Sequence, residues 1–191
     1  MFLTKLELEQ KGFKSIGENV LISNLASIYN AKNIEIGSNV RIDDFCILSA
    51  GEGGIQIGNN IHIACYVSMI GAGKITLEDF SQVSSRVVIL SSSDDFSGDF
   101  LVGPCIPSEF TNVKSAPVKL MKHCVIGTGS TILPNVTINE GAAVGAMSLV
   151  KDDVDEFDIV VGIPAKKVKD RKRKILEMEI KYLQSIGYEN K

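Results

Sequence analysis

Between Ile16 and Val150 the chain sets single aliphatic residues at six-residue spacing and fills the gaps with short polar turns. The unit is one aliphatic residue, usually Gly, two turn residues, and a small or aliphatic residue: Ile16-Gly-Glu-Asn-Val20, Ile36-Gly-Ser-Asn-Val40 and Ile57-Gly-Asn-Asn-Ile61. Each copy supplies one short strand with its aliphatic side chain inward, and one turn whose Gly or Asn tolerates a positive φ. Stacked copies build a three-sided prism around a continuous aliphatic core, so the pattern predicts an all-β solenoid that has to be read as a whole.

The first block runs through Ile22, Ile28, Ile34, Ile36, Ile42 and Leu48, breaks at the Gly-rich turn Ala50-Gly-Glu-Gly-Gly54, and resumes at Ile57, Ile63, Met69 and Leu77. Insertions in a solenoid map to its corners, which makes that break a loop and not a domain boundary. The pattern continues from Val83 to Leu90 and then fails from Ser91 to about Pro117. A structureless stretch of that length inside a compact domain points to function, and Phe96, Phe100, Leu101, Ile106 and Phe110 are available to anchor it. A second block, Leu120, Ile126, Ile132, Ile138 and Val144, carries the cleanest hexapeptides. Thr4 and Glu7 have the spacing of a capping box and Gly12 stands at a helix end, which predicts a capping helix over 1–13. The repeat region then spans 14–163 with a loop excursion at 91–117, and 164–191 forms a C-terminal helical segment. Within that segment Ile175, Met178 and Tyr182 recur at helical spacing, with the helix placed over Lys169 to Ser185 and Gly187 ending it.

With 191 residues, 45% of them hydrophobic, no Trp and 17 Gly, the chain matches one thin aliphatic solenoid with many turns. A formal charge of -3 with interspersed signs excludes a general attraction to nucleic acid. The first residues are acidic where a signal peptide would be apolar, and no apolar run approaches a membrane span, which leads us to expect a cytoplasmic protein. Cys46, Cys65 and Cys124 occupy small-residue positions of the repeat and Cys105 stands in the excursion. With no Cys-x-x-Cys pair they read as free, mostly buried thiols.

The run Ile126-Gly-Thr-Gly-Ser-Thr-Ile-Leu-Pro-Asn-Val-Thr-Ile-Asn-Glu-Gly-Ala-Ala-Val-Gly-Ala-Met-Ser-Leu-Val150, closed by Gly162-Ile-Pro-Ala-Lys-Lys-Val168, resembles the signature end of the hexapeptide-repeat acyltransferases. Parallel crossovers are ordinarily right-handed; the resemblance implies instead a left-handed parallel β-helix with a protruding loop and a C-terminal α-helix. It also implies a C3 homotrimer and acetyl-CoA as co-substrate. In size and layout the chain is most similar to the galactoside, maltose and xenobiotic acetyltransferases and to the small acetyltransferases of bacterial surface-sugar synthesis.

Acyl transfer needs a neutral nucleophile, a group that holds or takes its proton, an oxyanion donor and a groove for the pantetheine arm. His62 follows the inward Ile61, so its side chain faces outward, either as an ordinary surface residue or, by the resemblance, in an acceptor pocket. The same resemblance puts Asp94 where the galactoside enzymes have their catalytic His, within Ser92-Ser-Asp-Asp95. A hydroxyl acceptor gains from a His base, whereas an unprotonated amine attacks a thioester without one, aided by a carboxylate. This favours N-acetylation of a nucleotide-linked amino sugar for surface polysaccharide. A dyad of His62 with Asp94 or Asp95 would serve the O-acetyltransferase alternative. His123 falls at a turn and reads as an exposed corner residue. For the coenzyme, the resemblance implies Thr128 and Ala146 along the pantetheine and Lys151 near the adenosine end, with Lys166, Lys167, Arg171 and Arg173 as candidates for the 3'-phosphate.

Two histidines are too few for the three-His zinc site of carbonic-anhydrase-like solenoids, so no metal is expected. A nucleotidyltransferase would need an added α/β domain. An ice-binding prism would rank Thr on one face, and Thr is scattered here. A passive scaffold has no use for an anchored acidic excursion at a coil edge.

Overall fold

The structure, a computed structural model, describes residues 1–187. It is a left-handed parallel β-helix of about seven turns, as expected. Face one stacks Ser15–Ile16, Ile34–Ile36, Ile55–Ile57, Ile75–Leu77, Val118–Leu120 and Thr137–Ile138. Face two stacks Val20–Ile22, Val40–Ile42, Ile61–Ile63, Gln82–Val83, Val125–Ile126, Ala143–Val144 and Asp158–Gly162. Face three stacks Ser27–Tyr29, Ile47–Ala50, Ser68–Gly71, Val88–Leu90, Thr131–Ile132 and Leu149–Val150. We call the edge between faces one and two the first, between two and three the second, and between three and one the third. The right-handed rule does not govern this chain because its reason is a helical crossover packing back on one sheet. Here consecutive strands lie on different faces, joined by tight corners that contain left-handed residues.

The alternation of side chains along each strand makes the core. In Val40–Ile42, Val40 and Ile42 point in and Arg41 out; in Ile61–Ile63, Ile61 and Ile63 point in and His62 out. Ile22, Ile42, Leu48, Ile63, Met69, Ile75, Leu77 and Ile89 are all fully enclosed. Rung partners are 20 residues apart at Ser15↔Glu35 and 21 at Ile34↔Ile55. They are 18 apart at Lys119↔Thr137, where three hexapeptides make one turn without insertion. On the first edge Asn19, Asn39 and Asn60 all take positive φ, and their amides form a ladder at 3.1 and 3.3 Å.

The Gly-rich turn after Ala50 lies on the third edge, and so does the excursion. It leaves after Val88–Leu90 and returns at Val118–Leu120, which pairs directly with Ile75–Leu77. An antiparallel pair, Ser92–Ser93 with Lys114–Ser115, zips its base.

The N-terminal cap is helix α1, Lys5–Gln10, with Thr4 and Glu7 forming the expected capping box. The C-terminal segment differs from expectation. Ala165–Asp170 is a strand antiparallel to Asp158–Gly162, extending face two, and helix α2 starts at Lys174 and ends at Ser185. The periodicity of Ile175, Met178 and Tyr182 located the helix, but the lysines at 166, 167 and 169 lie on an exposed strand. Residues 188–191, the last of the expected helical segment, lie outside the described residues.

Replacing Ile63, wholly enclosed, by Ala should lower the unfolding free energy by about 2–5 kcal/mol, read from urea denaturation.

Candidate active site

Three successive turns line up on the upper second edge. Ser84-Ser85-Arg86 lies beneath Gly127-Thr128-Gly129, which lies beneath Gly145-Ala146-Met147. Backbone bonds tie them together: Ser84 N–H donates to Ile126 O at 3.0 Å, Gly129 N–H to Ser85 O at 3.0 Å and Met147 N–H to Thr128 O at 2.8 Å. A side chain at Gly127 would meet the Ala146 nitrogen at 2.5 Å, so glycine is what lets these rungs close up. Below the surface the Ser130 and Ser148 hydroxyls both donate to Gly145 O, at 2.9 and 2.8 Å. Thr128 and Ala146 are exposed, side by side on a firmly pinned edge. The structure therefore brings together two of the residues that the resemblance assigned to the coenzyme.

The remaining three are dispersed. Lys151 lies on the third edge and pairs with Asp152 at 3.0 Å. Lys166 is exposed on the added strand of face two. Arg171 is engaged on the first edge, where its guanidinium donates to the His123 and Gly141 carbonyls at 2.9 Å each. There Arg171 fastens the approach to α2 onto the coil. Lys167 is held by Asp158 at 2.7 Å and Asp170 at 2.8 Å, and Arg173 lies 4.0 Å from Glu156.

His62 projects from face two, half exposed, and its Nε2 is 2.7 Å from Asp43 Oδ2. Asp43 also accepts from Arg41 Nε at 2.7 Å. Burial pushes the Asp43 carboxyl up, but the hydrogen bonds from His62 and Arg41 outweigh it, leaving it below the usual carboxylate range. The dyad of His62 with Asp94 or Asp95 is not formed within the chain. His62 lies on face two, and the two aspartates follow the last strand residue of face three, on the third edge. A packed prism cannot fold one edge onto another.

The two aspartates have different surroundings. Asp95 is buried: Oδ1 accepts from the Ser97 N–H at 2.8 Å and from the Ser97 hydroxyl, and Oδ2 from Asn112 Nδ2 at 2.9 Å. Those bonds from Ser97 and Asn112 hold its carboxyl below the usual range and tie the excursion's outgoing and returning limbs. Asp94 is exposed, and among the described residues its carboxylate has no hydrogen-bond partner. Of the adjacent pair, Asp94 is the one left free for a ligand.

His123 sits at a corner with φ 63, as its turn position implied, but it is buried and not exposed. Helix α2 covers it: Glu179 Oε2 lies 2.8 Å from His123 Nε2 and its other oxygen 2.6 Å from Lys122 Nζ. Phe80 stacks on the imidazole at 5.3 Å. Burial raises the Glu179 carboxyl, and the Lys122 and His123 contacts outweigh this and keep it below its ordinary value of 4.5. Burial drives the Cys46 and Cys124 thiols up to about 11 and about 12, so both are unreactive packing residues. Cys65 is partly buried and Cys105 exposed. Among the described residues no cluster of His, Cys, Asp or Glu could hold a metal, and no helix is long and apolar enough to cross a membrane.

No family model matches the sequence. The dTDP-4-amino-4,6-dideoxy-D-glucose acyltransferase of Escherichia coli is 53% identical over 178 residues, 93% of each chain. This chain belongs to the hexapeptide-repeat acyltransferases. AntD, an N-acyltransferase from Bacillus cereus, superposes with a TM-score of 0.93 at 51% identity, covering 97% of this chain and 98% of that one, in a complex with dTDP and 3-hydroxybutyryl-CoA. An AntD variant with its Ser84 replaced by Cys, solved with dTDP-4-amino-4,6-dideoxyglucose and coenzyme A, gives 0.92 at 51% identity, covering 96% and 97%. The Vibrio cholerae acetyltransferase VCA0836, at 20% identity and a TM-score of 0.63 over 88% of this chain and 76% of that one, shares the fold. Membership makes this chain an acyl-CoA-dependent enzyme, and the passive-scaffold alternative falls.

Other AntD structures replace its residue Asp94, and this chain has Asp94 and Ser84 at those two numbers. The family resemblance singled out Asp94, and the reading of the sequence passed over Ser84. The available signal was the turn Ser84-Ser85-Arg86, which lacks the Gly or Asn that most other corners carry.

Glu179→Gln should loosen α2 from the first edge and cost about 1–3 kcal/mol at neutral pH, since His123 is left buried with a poorer partner. Because the Glu179 carboxyl is depressed in the fold, its contribution is full above 4.5 and is lost as pH falls through the folded value. The melting-temperature gap between wild type and variant should therefore close below pH 4.5 in a series of thermal scans.

Proposed function

We propose that this enzyme transfers an acyl group from acyl-CoA, acetyl-CoA first among donors, to the amine of a dTDP-linked 4-amino-4,6-dideoxy sugar destined for surface polysaccharide, in the cytoplasm. The observation that carries the reading is the AntD complex, in which a protein half identical to this chain over nearly all its length holds both dTDP-4-amino-4,6-dideoxyglucose and coenzyme A. WbbJ of Escherichia coli K12, named a putative lipopolysaccharide biosynthesis O-acetyl transferase and 29% identical over 78% of this chain and 74% of its own length, supports the polysaccharide context.

The chemistry suits the side chains present. The unprotonated amine attacks the thioester carbonyl carbon, the C–N bond forms and the C–S bond breaks. The proton shed by nitrogen passes to the departing thiolate by way of the Asp94 carboxylate, which orients the amine. An amine needs no imidazole base; within the chain His62 pairs with Asp43 and His123 lies beneath α2. On this reading Ser84 positions the amine, and Thr128 and Ala146 line the pantetheine arm.

This reading takes the enzyme as a homotrimer. Ser84, Thr128 and Ala146 lie on the second edge and Asp94 on the third, so a complete site takes residues from two copies. The excursion exposes Phe96, Phe100, Leu101 and Phe110, apolar area that a neighbouring copy would cover. Light scattering should give a mass near three times the 20.7 kDa of one chain, and a monomeric mass would reject the shared site.

Thiol release from acetyl-CoA and 3-hydroxybutyryl-CoA should be rapid with dTDP-linked amino sugars and absent with galactosides and glucosides. Release with hydroxyl acceptors alone would replace this reading by O-acetylation. Asp94→Asn should lower kcat by about 10²-fold or more with little change in folding; unchanged turnover would remove Asp94 from the chemistry.

A further inference from the structure

Bulky residues occupy left-handed corners on the second edge: Phe45 at φ 61, Tyr66 at 64, Arg86 at 60 and Met147 at 55. Such residues are disfavoured there, and asparagine fills many corners of the other two edges at lower cost. On the first edge the bulky exceptions have structural reasons: His123 and Phe157 are buried, and Phe80 packs between His123 and Tyr182. On the second edge Phe45 and Tyr66 are about half exposed. Their rings stack at 4.9 Å, and the Arg86 guanidinium lies 5.7 Å from the Tyr66 ring centre.

The chain has four arginines. Arg41 is held by Asp43, Arg171 by two carbonyls, and Arg173 by Glu156 and the Phe157 ring. Arg86 is exposed, and among the described residues no carboxylate or carbonyl takes its N–H groups. A guanidinium laid on an aromatic ring is pre-ordered, and its planar fork matches phosphate oxygens two at a time.

We propose that Arg86 binds the diphosphate of the nucleotide-sugar acceptor, on a wall continued by Tyr66 and Phe45. This rests on the acceptor reading above. Arg86 is two residues from Ser84, at most about 7 Å between Cα atoms. In a nucleotide-linked amino sugar only the pyranose ring separates the amine from the diphosphate. In acyl-CoA the whole pantetheine arm separates the thioester from the phosphates. With the amine at Ser84, the acceptor's diphosphate is the one in reach, while the coenzyme runs along Thr128 and Ala146 above. Phe45 lies two rungs below Arg86, about 10 Å at ~4.8 Å per rung, in the direction left for ribose and base.

The test compares wild type, Arg86→Gln and Arg86→Lys by calorimetric titration with dTDP and with coenzyme A, alongside kcat and KM, after matching melting temperatures. We expect Arg86→Gln to weaken dTDP roughly tenfold or more and to raise the acceptor KM. Its kcat and coenzyme A affinity should hold, and Arg86→Lys should recover part of the loss. Equal dTDP affinity in wild type and Arg86→Gln would overturn the assignment while leaving the acceptor reading intact. A loss confined to coenzyme A would also overturn it, moving Arg86 to the coenzyme's phosphates. A wild-type enzyme that binds no dTDP would remove the acceptor reading itself, and the assignment with it.

Discussion

Every rung of this molecule passes its backbone hydrogen bonds to the rung above, and each buried N–H or C=O left without a partner would cost about 1–3 kcal/mol. That obligation keeps the strands in parallel register, confines insertions to the corners, and requires an inward aliphatic at each strand position. It also explains Gly127, where the next rung leaves no room for a side chain. The same rule lets the excursion at 91–117 exist: the chain leaves and re-enters one edge, and Ile75–Leu77 finds its partner in Val118–Leu120 as though nothing had intervened.

The faces of such a prism offer only alternate residues on a flat surface, so chemistry concentrates on the edges, and each edge has its own task. The first is a packing edge, where α2 seals His123 through Glu179 and Arg171 anchors the chain ahead of the helix. The second presents pinned, exposed turns carrying Ser84, Arg86, Thr128 and Ala146. The third emits the excursion with Asp94 at its start. A core this tightly filled cannot bend one edge toward another. On the reading proposed here, two copies together supply what one copy keeps apart.

The two histidines show how far charge and neighbours redirect a residue. His62 emerges from face two as its alternation requires, but its partner is Asp43 from the rung below, and Arg41 shares that carboxylate. His123 holds the turn position that its hexapeptide assigns, and is buried only because a helix more than fifty residues later lies across it. Within the chain neither imidazole pairs with Asp94 or Asp95.

What the sequence by itself determined is everything local or periodic. The hexapeptides dictated the solenoid, Thr4 and Glu7 the first cap, and the failure of the pattern after Leu90 the excursion; Thr128 and Ala146 fell on one edge because their spacing is one turn. What only the tertiary structure decided is everything that depends on which rung or helix comes to lie against a residue. This covers the capture of His62 by Asp43, the burial of His123, the use of Arg171 as a clamp, and the strand at Ala165–Asp170. It also covers the different fates of the neighbours Asp94 and Asp95, one free and one spent on Ser97 and Asn112. These pairings join residues tens of positions apart through side chains that obey no repeat, so the spacing of the chain carries no record of them.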